Sequence, residues 1–399
     1  MKAIERKYLL PFILVTSLFA LWGLANNMTD TLLAAFRKIM QMSDTQTSFI
    51  QMAFYGAYFC LALPAALFIR KHSYKSGVIL GLCLYALGAI LFLPAAGAAS
   101  YAFYLIAIYI MAAGCSVLET TANPYIMSMG SPETATRRLN IAQSFNPIGS
   151  ILGILVSKYF ILQDISLYSV SGTYAAVGVV LIAIMVVMLF AKMPEGQDTA
   201  TATGLGATFH RLFANKKYVG GVIAQFFYVG AQIGVWSFTI RLVMKELDMV
   251  EAHAATLYLI SIIGFCASRF VYTWLMKFVE PVKLLVAGSV LSALCALVVV
   301  LTDGWVCVVS LVLISIFMSL MFPTIYGIAL GSVSESEHPD DTKIGASGLI
   351  MAILGGALLT PLQGMVSDHS SINMSYLVPM CCFIVVLVYA MQNTKKKTA

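Results

Sequence analysis

The sequence predicts an all-α polytopic membrane protein with 12 transmembrane helices in two six-helix, pseudo-symmetric bundles. Three observations carry this reading. Hydrophobic residues make up 60% of the 399 and charged residues 11%, and the mean hydropathy of +0.88 is far above that of a chain that must offer water a polar surface. Twelve apolar runs approach the roughly 20 residues needed to cross about 30 Å of hydrocarbon. The two halves also echo each other: Asn-Pro-Tyr-Ile at 123–126 answers Phe-Pro-Thr-Ile at 322–325, each closing a long run ahead of a polar loop.

The runs are 8–31, 47–69, 76–96, 101–129, 139–162, 170–191, 217–242, 253–277, 281–301, 305–331, 342–365 and 372–391. Backbone groups cannot go unpaired in lipid, so each is read as a helix. The first follows Lys2, Arg6 and Lys7 like a secretory signal, but it is longer than a signal's apolar region. No small-residue cleavage site stands out after Ala20, so it is read as an uncleaved span. The first, fourth, seventh and tenth runs are long enough to tilt or protrude. The fifth, LNIAQSFNPIGSILGILVS, and the eleventh, IGASGLIMAILGGALLTPLQG, are rich in small residues that permit close helix contact. Residues 192–216, with PEGQDTATATGLGAT, read as a flexible polar linker. The expected domains are therefore an N-terminal bundle at 1–191, a cytoplasmic linker at 192–216 and a C-terminal bundle at 217–399. Most of the 24 basic residues fall on the side of the N-terminus, which places both termini in the cytoplasm by the positive-inside rule. Arg37, Lys38, Lys158, Arg241 and Lys245 are left for outer loops. An even span count, matched halves and a cytoplasmic linker point to the major facilitator fold, whose halves are parallel repeats about an axis along the membrane normal.

Composition also excludes several functions. The net charge of +6 follows from the orientation signal, so no nucleic-acid partner is needed to explain it. The eight cysteines all lie inside predicted spans and read as small apolar packing residues. No histidine pair has metal-ligand spacing, and the spans hold no HExxH motif or nucleophile elbow. The expectation is a monomer in a bacterial inner membrane, in contact with lipid, with no cofactor, metal or catalytic residue.

Two acids then stand out. Glu119 is the only charge from Tyr101 to Met129, and Asp30 the only one between Tyr8 and Arg37. An acid at the centre of a lone span costs about 2.5–3.5 kcal/mol, so it should face a polar cavity or a partner. Counted from the outer end of its span, Glu119 lies about 27 Å in, whereas Asp30 is near the outer side. Acids at two depths predict a stepped proton path, because desolvation favours the neutral form of a carboxyl group. Around them Asn26, Asn27, Asn123, Gln143 and Asn146 offer amide donors and acceptors suited to a ligand made of hydroxyls. Gln143 and Asn146, three apart, are expected on one helix face. Tyr55 and Tyr58 supply ring surface with a polar tip. In the seventh span Gln225, Gln232 and Trp236 share a face.

The stretches NNMTD, LETTANPYI, LNIAQSFN, FFYVGAQIGVWS and DTKIGASG together resemble the fucose:proton symporter family, over nearly the whole chain. LETTANP is shared with its glucose, galactose and N-acetylglucosamine carriers, whereas SYKSGVILGLCLYALGAILFLPAA and DTKIGASG favour the L-fucose branch. The resemblance implies a proton-coupled sugar symporter importing L-fucose by alternating access, with Asp30 and Glu119 in proton coupling. Glu119 then also serves substrate recognition, and Gln143 and Asn146 line the sugar cavity. The outer loop at about 163–169 is shorter than that resemblance leads one to expect, which bears on outer access and fine specificity. Other readings stay open: another hexose or N-acetylhexosamine, or an uncoupled sugar facilitator. Residue by residue, Glu119 has an alternative as a structural acid, Asp30 as a solvated one, Gln143 and Asn146 as interhelical glue, and the tyrosines as packing. Arg269, inside the eighth span, is expected in an ion pair at an inner gate and not in the site.

Overall fold

The structure, a computed structural model, describes residues 4, 6–41, 44–161, 166–193, 204–334 and 339–394. Its α-helices run, in chain order, α1 (Leu9–Ile39), α2 (Asp44–Lys71), α3 (Tyr74–Ile90), α4 (Phe92–Gly97), α5 (Tyr101–Ser128), α6 (Ala135–Gln143), α7 (Asn146–Val156), α8 (Leu167–Phe190), α9 (Leu205–Ala214), α10 (Lys216–Leu247), α11 (Glu251–Leu275), α12 (Pro281–Leu301), α13 (Gly304–Met318), α14 (Met321–Ser334), α15 (Pro339–Met351), α16 (Leu354–His369) and α17 (Leu377–Asn393). No strand occurs among the described residues. Among the described residues eleven stretches are long and apolar enough to cross a membrane, and α1 adds the apolar segment Leu9–Ala25.

The ninth predicted span coincides with α12, while others extend further or break. Arg37 and Lys38, expected in an outer loop, belong to α1, and Arg241 and Lys245 belong to α10. The α10 helix runs on because its basic side chains find partners. Lys245 Nζ donates to Asn373 Oδ1 at 2.6 Å, and the Arg241 guanidinium lies 4.3 Å from the Phe238 ring centroid. The fifth span is split into α6 and α7, the tenth into α13 and α14, and the eleventh into α15 and α16. Two of these breaks have a proline four residues beyond the carbonyl at a helix end: Pro147 after Gln143, the last residue of α6, and Pro323 after Ser319, the residue that follows α13. Proline has no N–H to return to that carbonyl, so the helical ladder is interrupted there.

The chain divides into two compact units. Unit 1 comprises Met1–Pro132, Phe145–Thr208 and Ser336–Met351; unit 2 comprises Glu133–Ser144, Phe209–Glu335 and Ala352–Ala399. Two of the boundaries fall at the breaks in the fifth and eleventh spans. As a result α6 belongs with unit 2 and α15 with unit 1.

Within unit 1, α5 is pressed against α3 through glycines spaced along one helix face. A Cβ on Gly88 would lie 2.3 Å from Met111 N, one on Gly81 2.6 Å from the Leu118 side chain, and one on Gly114 2.3 Å from Tyr85 N. In the same unit α1 meets α7 at Gly149, whose Cβ would sit 1.7 Å from the Ala20 carbonyl oxygen. Unit 2 repeats this crossing where α16 meets α10: a Cβ on Gly355 would lie 1.9 Å from the Phe226 carbonyl oxygen. The same sequence offset separates Gly149 from Gly355 and Ala20 from Phe226, so the small residues of the fifth and eleventh spans mark corresponding helix contacts. Of the cysteines, 115, 307 and 382 are buried as packing residues should be, but Cys60, Cys83 and Cys381 are exposed on helix surfaces.

Candidate functional site

The helix that carries Glu119 starts at a serine cap, where Ser100 Oγ accepts from the Phe103 N–H. It then runs through small residues that admit α3 on one side. From Met111 to Met127 every residue is buried except Glu119, which is partly open. The opening is not on the lipid side of this helix. At 100° per residue Glu119 lies about 80–140° around the axis from the exposed Tyr109 and Ile106.

Tyr58, on α2, closes the other side of the carboxylate. Its hydroxyl donates to Glu119 and also meets the Cys115 thiol. One turn before Glu119, Ser116 Oγ donates to the Tyr58 carbonyl at 3.2 Å, which ties the two helices at that level. Tyr58 is itself 2% exposed and packs on Phe54 with ring centroids 5.4 Å apart. The tyrosine thus serves Glu119 directly and has little surface left for a ligand. Tyr85, close to Tyr58 and Cys115, donates its hydroxyl to the Leu21 carbonyl at 3.1 Å, fixing α3 to α1.

The remaining candidates take different positions. Asp30 and Asn26 belong to α1, but their side chains lie outside the described residues. Asn27 is half-buried, with Nδ2 donating to the Gly23 carbonyl at 3.3 Å. Asn146, also half-buried in unit 1, donates Nδ2 to the Phe19 carbonyl at 3.3 Å. Asn123 is fully buried and Gln143 is 3% exposed. Gln143 and Asn146 do not share a face of one helix as expected: Gln143 ends α6 in unit 2 and Asn146 begins α7 in unit 1, because Pro147 interrupts the helix between them. In unit 2, Gln232 and Trp236 are half-buried on α10 while Gln225 is fully enclosed. Trp236 Nε1 donates to Ser315 Oγ at 3.2 Å, and its ring meets Phe265 edge-on with centroids 5.0 Å apart.

Arg269 departs from expectation. Among the described residues it has no carboxylate partner. It is 4% exposed; its Nε donates to the Ser319 carbonyl at 2.7 Å and its Nη1 to the Gln143 carbonyl at 2.6 Å, with the guanidinium 4.8 Å from the Phe265 ring. Ser116 and Ser315 carry no functional signal in the sequence, and Cys115 reads there only as a packing residue, since a small polar residue in a span shows its role only through its neighbour across the helix interface.

A profile of the Major Facilitator Superfamily matches residues 12–340. The L-fucose-proton symporter of Haemophilus influenzae is 40% identical over 99% of both chains. The glucose/galactose transporter of Brucella abortus is 29% identical over 98% of this chain and 96% of its own. Among solved structures, that of the transporter FucP in the outward conformation, the Escherichia coli fucose:proton symporter, superposes with a TM-score of 0.89 at 33% identity, covering 98% of this chain and all of the other. Profile, identity and fold agree over nearly the whole length, and the chain belongs to the Major Facilitator Superfamily, in its fucose:proton symporter family.

Proposed function

We propose that this protein imports L-fucose together with a proton by alternating access. The observation that carries the reading is the setting of Glu119: it is the one partly open residue in an otherwise buried helical stretch, braced by the Tyr58 hydroxyl. A carboxyl group so placed can bind a proton while it accepts or donates hydrogen bonds to a sugar hydroxyl. L-Fucose is favoured over glucose or galactose because the fucose symporters align at 40% and 33% identity against 29% for the glucose/galactose transporter.

In this reading Asp30 and Glu119 carry the coupling, and the loaded, neutral carrier turns inward. Asn26, Asn27 and Asn146 supply amide contacts from the first half, with Gln143 at the break of the fifth span. Gln232 and Trp236 supply an amide and an aromatic wall from the second. Asn123 and Tyr58 act behind Glu119, which agrees with their burial. The bundles are 1–191 and 217–399, joined by a cytoplasmic linker at 192–216, with both termini inside a bacterial inner membrane and the protein working as a monomer among lipids. The driving force is adequate: about 2.3 kcal/mol per charge at 100 mV and about 1.4 kcal/mol per pH unit support a sugar gradient of several hundredfold.

The test is to add L-fucose to a lightly buffered suspension of de-energised cells making this protein and to record the external pH. Alkalinisation with L-fucose, and not with D-glucose, D-galactose or N-acetylglucosamine, is the expected result. Alkalinisation with one of the others replaces the substrate. Entry of labelled fucose with no pH change means an uncoupled facilitator, in which the acids only bind sugar.

A further inference from the structure

Two prolines, Pro323 in unit 2 and Pro147 just past the boundary into unit 1, each leave a carbonyl of unit 2 without the amide that would close the helical turn. Pro147 cannot return a hydrogen bond to Gln143, nor Pro323 to Ser319. An unpaired carbonyl in a dry interior is costly. Both oxygens end on the same side chain: Arg269 of α11 donates Nη1 to Gln143 at 2.6 Å and Nε to Ser319 at 2.7 Å. A guanidinium presents its donors in a rigid planar fork, so it can serve two separate acceptors at once where an ammonium on a flexible stem would not hold both in place.

The surrounding polar groups complete the join. On α11, Ser268 Oγ lies within hydrogen-bond distance of the Ile316 carbonyl, at 3.0 Å, and of Ser319 Oγ, at 2.8 Å. Thr273 Oγ1 donates to the Arg269 carbonyl at 2.7 Å, and Ser144 Oγ lies 3.5 Å from Thr273 Oγ1. Asn140 Nδ2 donates to Thr324 Oγ1 at 3.3 Å, binding α6 to α14. Among the described residues this buried cation is held by neutral oxygens, the Tyr228 hydroxyl among them, and a ring, which is an expensive arrangement. Ordinary packing would not need it.

We propose that Arg269 is a positioning residue for transport: it stands in for the two missing amides, joins the break of the fifth span to the break of the tenth, and latches α6 to α11 and α14 until both bonds are released together. The proposal rests on the symport reading for its role in the cycle. Through the Gln143 backbone it also fixes where that amide side chain begins. The prolines are part of the device, since an alanine at either place would return an N–H to the carbonyl and compete with the guanidinium.

The test is a double-mutant cycle on the full chain, purified in detergent without sugar and read by thermal unfolding. Arg269→Gln is expected to lower Tm by several degrees in the natural background. It should lower it by less than half as much in a Pro147→Ala/Pro323→Ala background, where the carbonyls have their own donors. Equal losses in the two backgrounds overturn the proposal. Should Arg269→Gln yield no folded protein, Arg269→Lys completes the same cycle. In cells, Arg269→Gln and the double proline variant are both expected to lower the maximal uptake rate by about tenfold while the half-saturating sugar concentration stays within about threefold. Uptake by the folded double proline variant equal to that of the unchanged protein also overturns the latch. Because the unfolding cycle uses no sugar, its failure leaves the transport reading standing, and a failure of fucose to move the external pH leaves the clamp standing.

Discussion

Glu119 in α5 and Glu246 in α10, one in each unit, have surroundings that differ in kind. Glu246, at the end of α10, has both oxygens occupied: Oε2 accepts from the Gly304 N–H at 2.7 Å, and Oε1 accepts from Asn373 Nδ2 at 2.9 Å with Lys245 Nζ at 3.3 Å. It pins the turn between α12 and α13 and the loop before α17 to one helix end. Glu119 has one hydroxyl beside it and an open side. A carboxylate surrounded by donors has no room for a proton, and one with a free side does. The acid suited to carrying a proton is the one the fold leaves incompletely bonded.

The comparison is broken most directly at Glu119. Glu119→Gln keeps the shape and removes the ionisable group; accumulation of labelled fucose is expected to fall from about several hundredfold to near unity while exchange across vesicles persists. Unchanged accumulation ends the coupling assignment. Next in size are the glycines that make the two units comparable. Gly149→Ala puts a Cβ 1.7 Å, and Gly355→Ala 1.9 Å, from a backbone oxygen that has no rotamer to move. Each is expected to cost more than about 3 kcal/mol and to reduce the folded yield. Gly172→Ala, with nothing within 4 Å of the new carbon, should unfold at the natural temperature.

The same contrast is sharpened by smaller changes. Glu246→Ala strands the Gly304 and Asn373 donors and should destabilise the protein by about 1–3 kcal/mol in thermal unfolding, with proton–sugar coupling intact. Loss of coupling in this variant would put the second acid in the proton path and erase the distinction. Tyr58→Phe removes one hydroxyl from Glu119 and is expected to lower the maximal uptake rate by about tenfold, the size of a hydrogen bond to a charged group. Tyr55→Phe serves as its comparison and should change the rate little. Smallest is Glu280→Ala. The Glu280–Lys283 pair spans 3.5 Å with both side chains more than half exposed, and its loss should change stability by less than about 0.5 kcal/mol.

Much of this was written in the order of the residues. Apolar runs of span length, a single acid in each of two of them, and small residues in the fifth and eleventh spans follow from a local rule: in lipid each segment must satisfy its own backbone and shed its charge. That rule needs no knowledge of neighbours, so Glu119 and the helix crossings at Gly149 and Gly355 were legible. The division of Gln143 from Asn146 was half legible, since Pro147 announces an interruption but not which pieces move apart. What only the tertiary structure decided is which groups meet: Tyr58 against Glu119, Asn123 enclosed, and Arg269 on two carbonyls from distant spans. Helical periodicity fixes the direction of a side chain around its own axis, whereas its partner depends on the register and rotation of another helix, and those are set by packing of the whole unit.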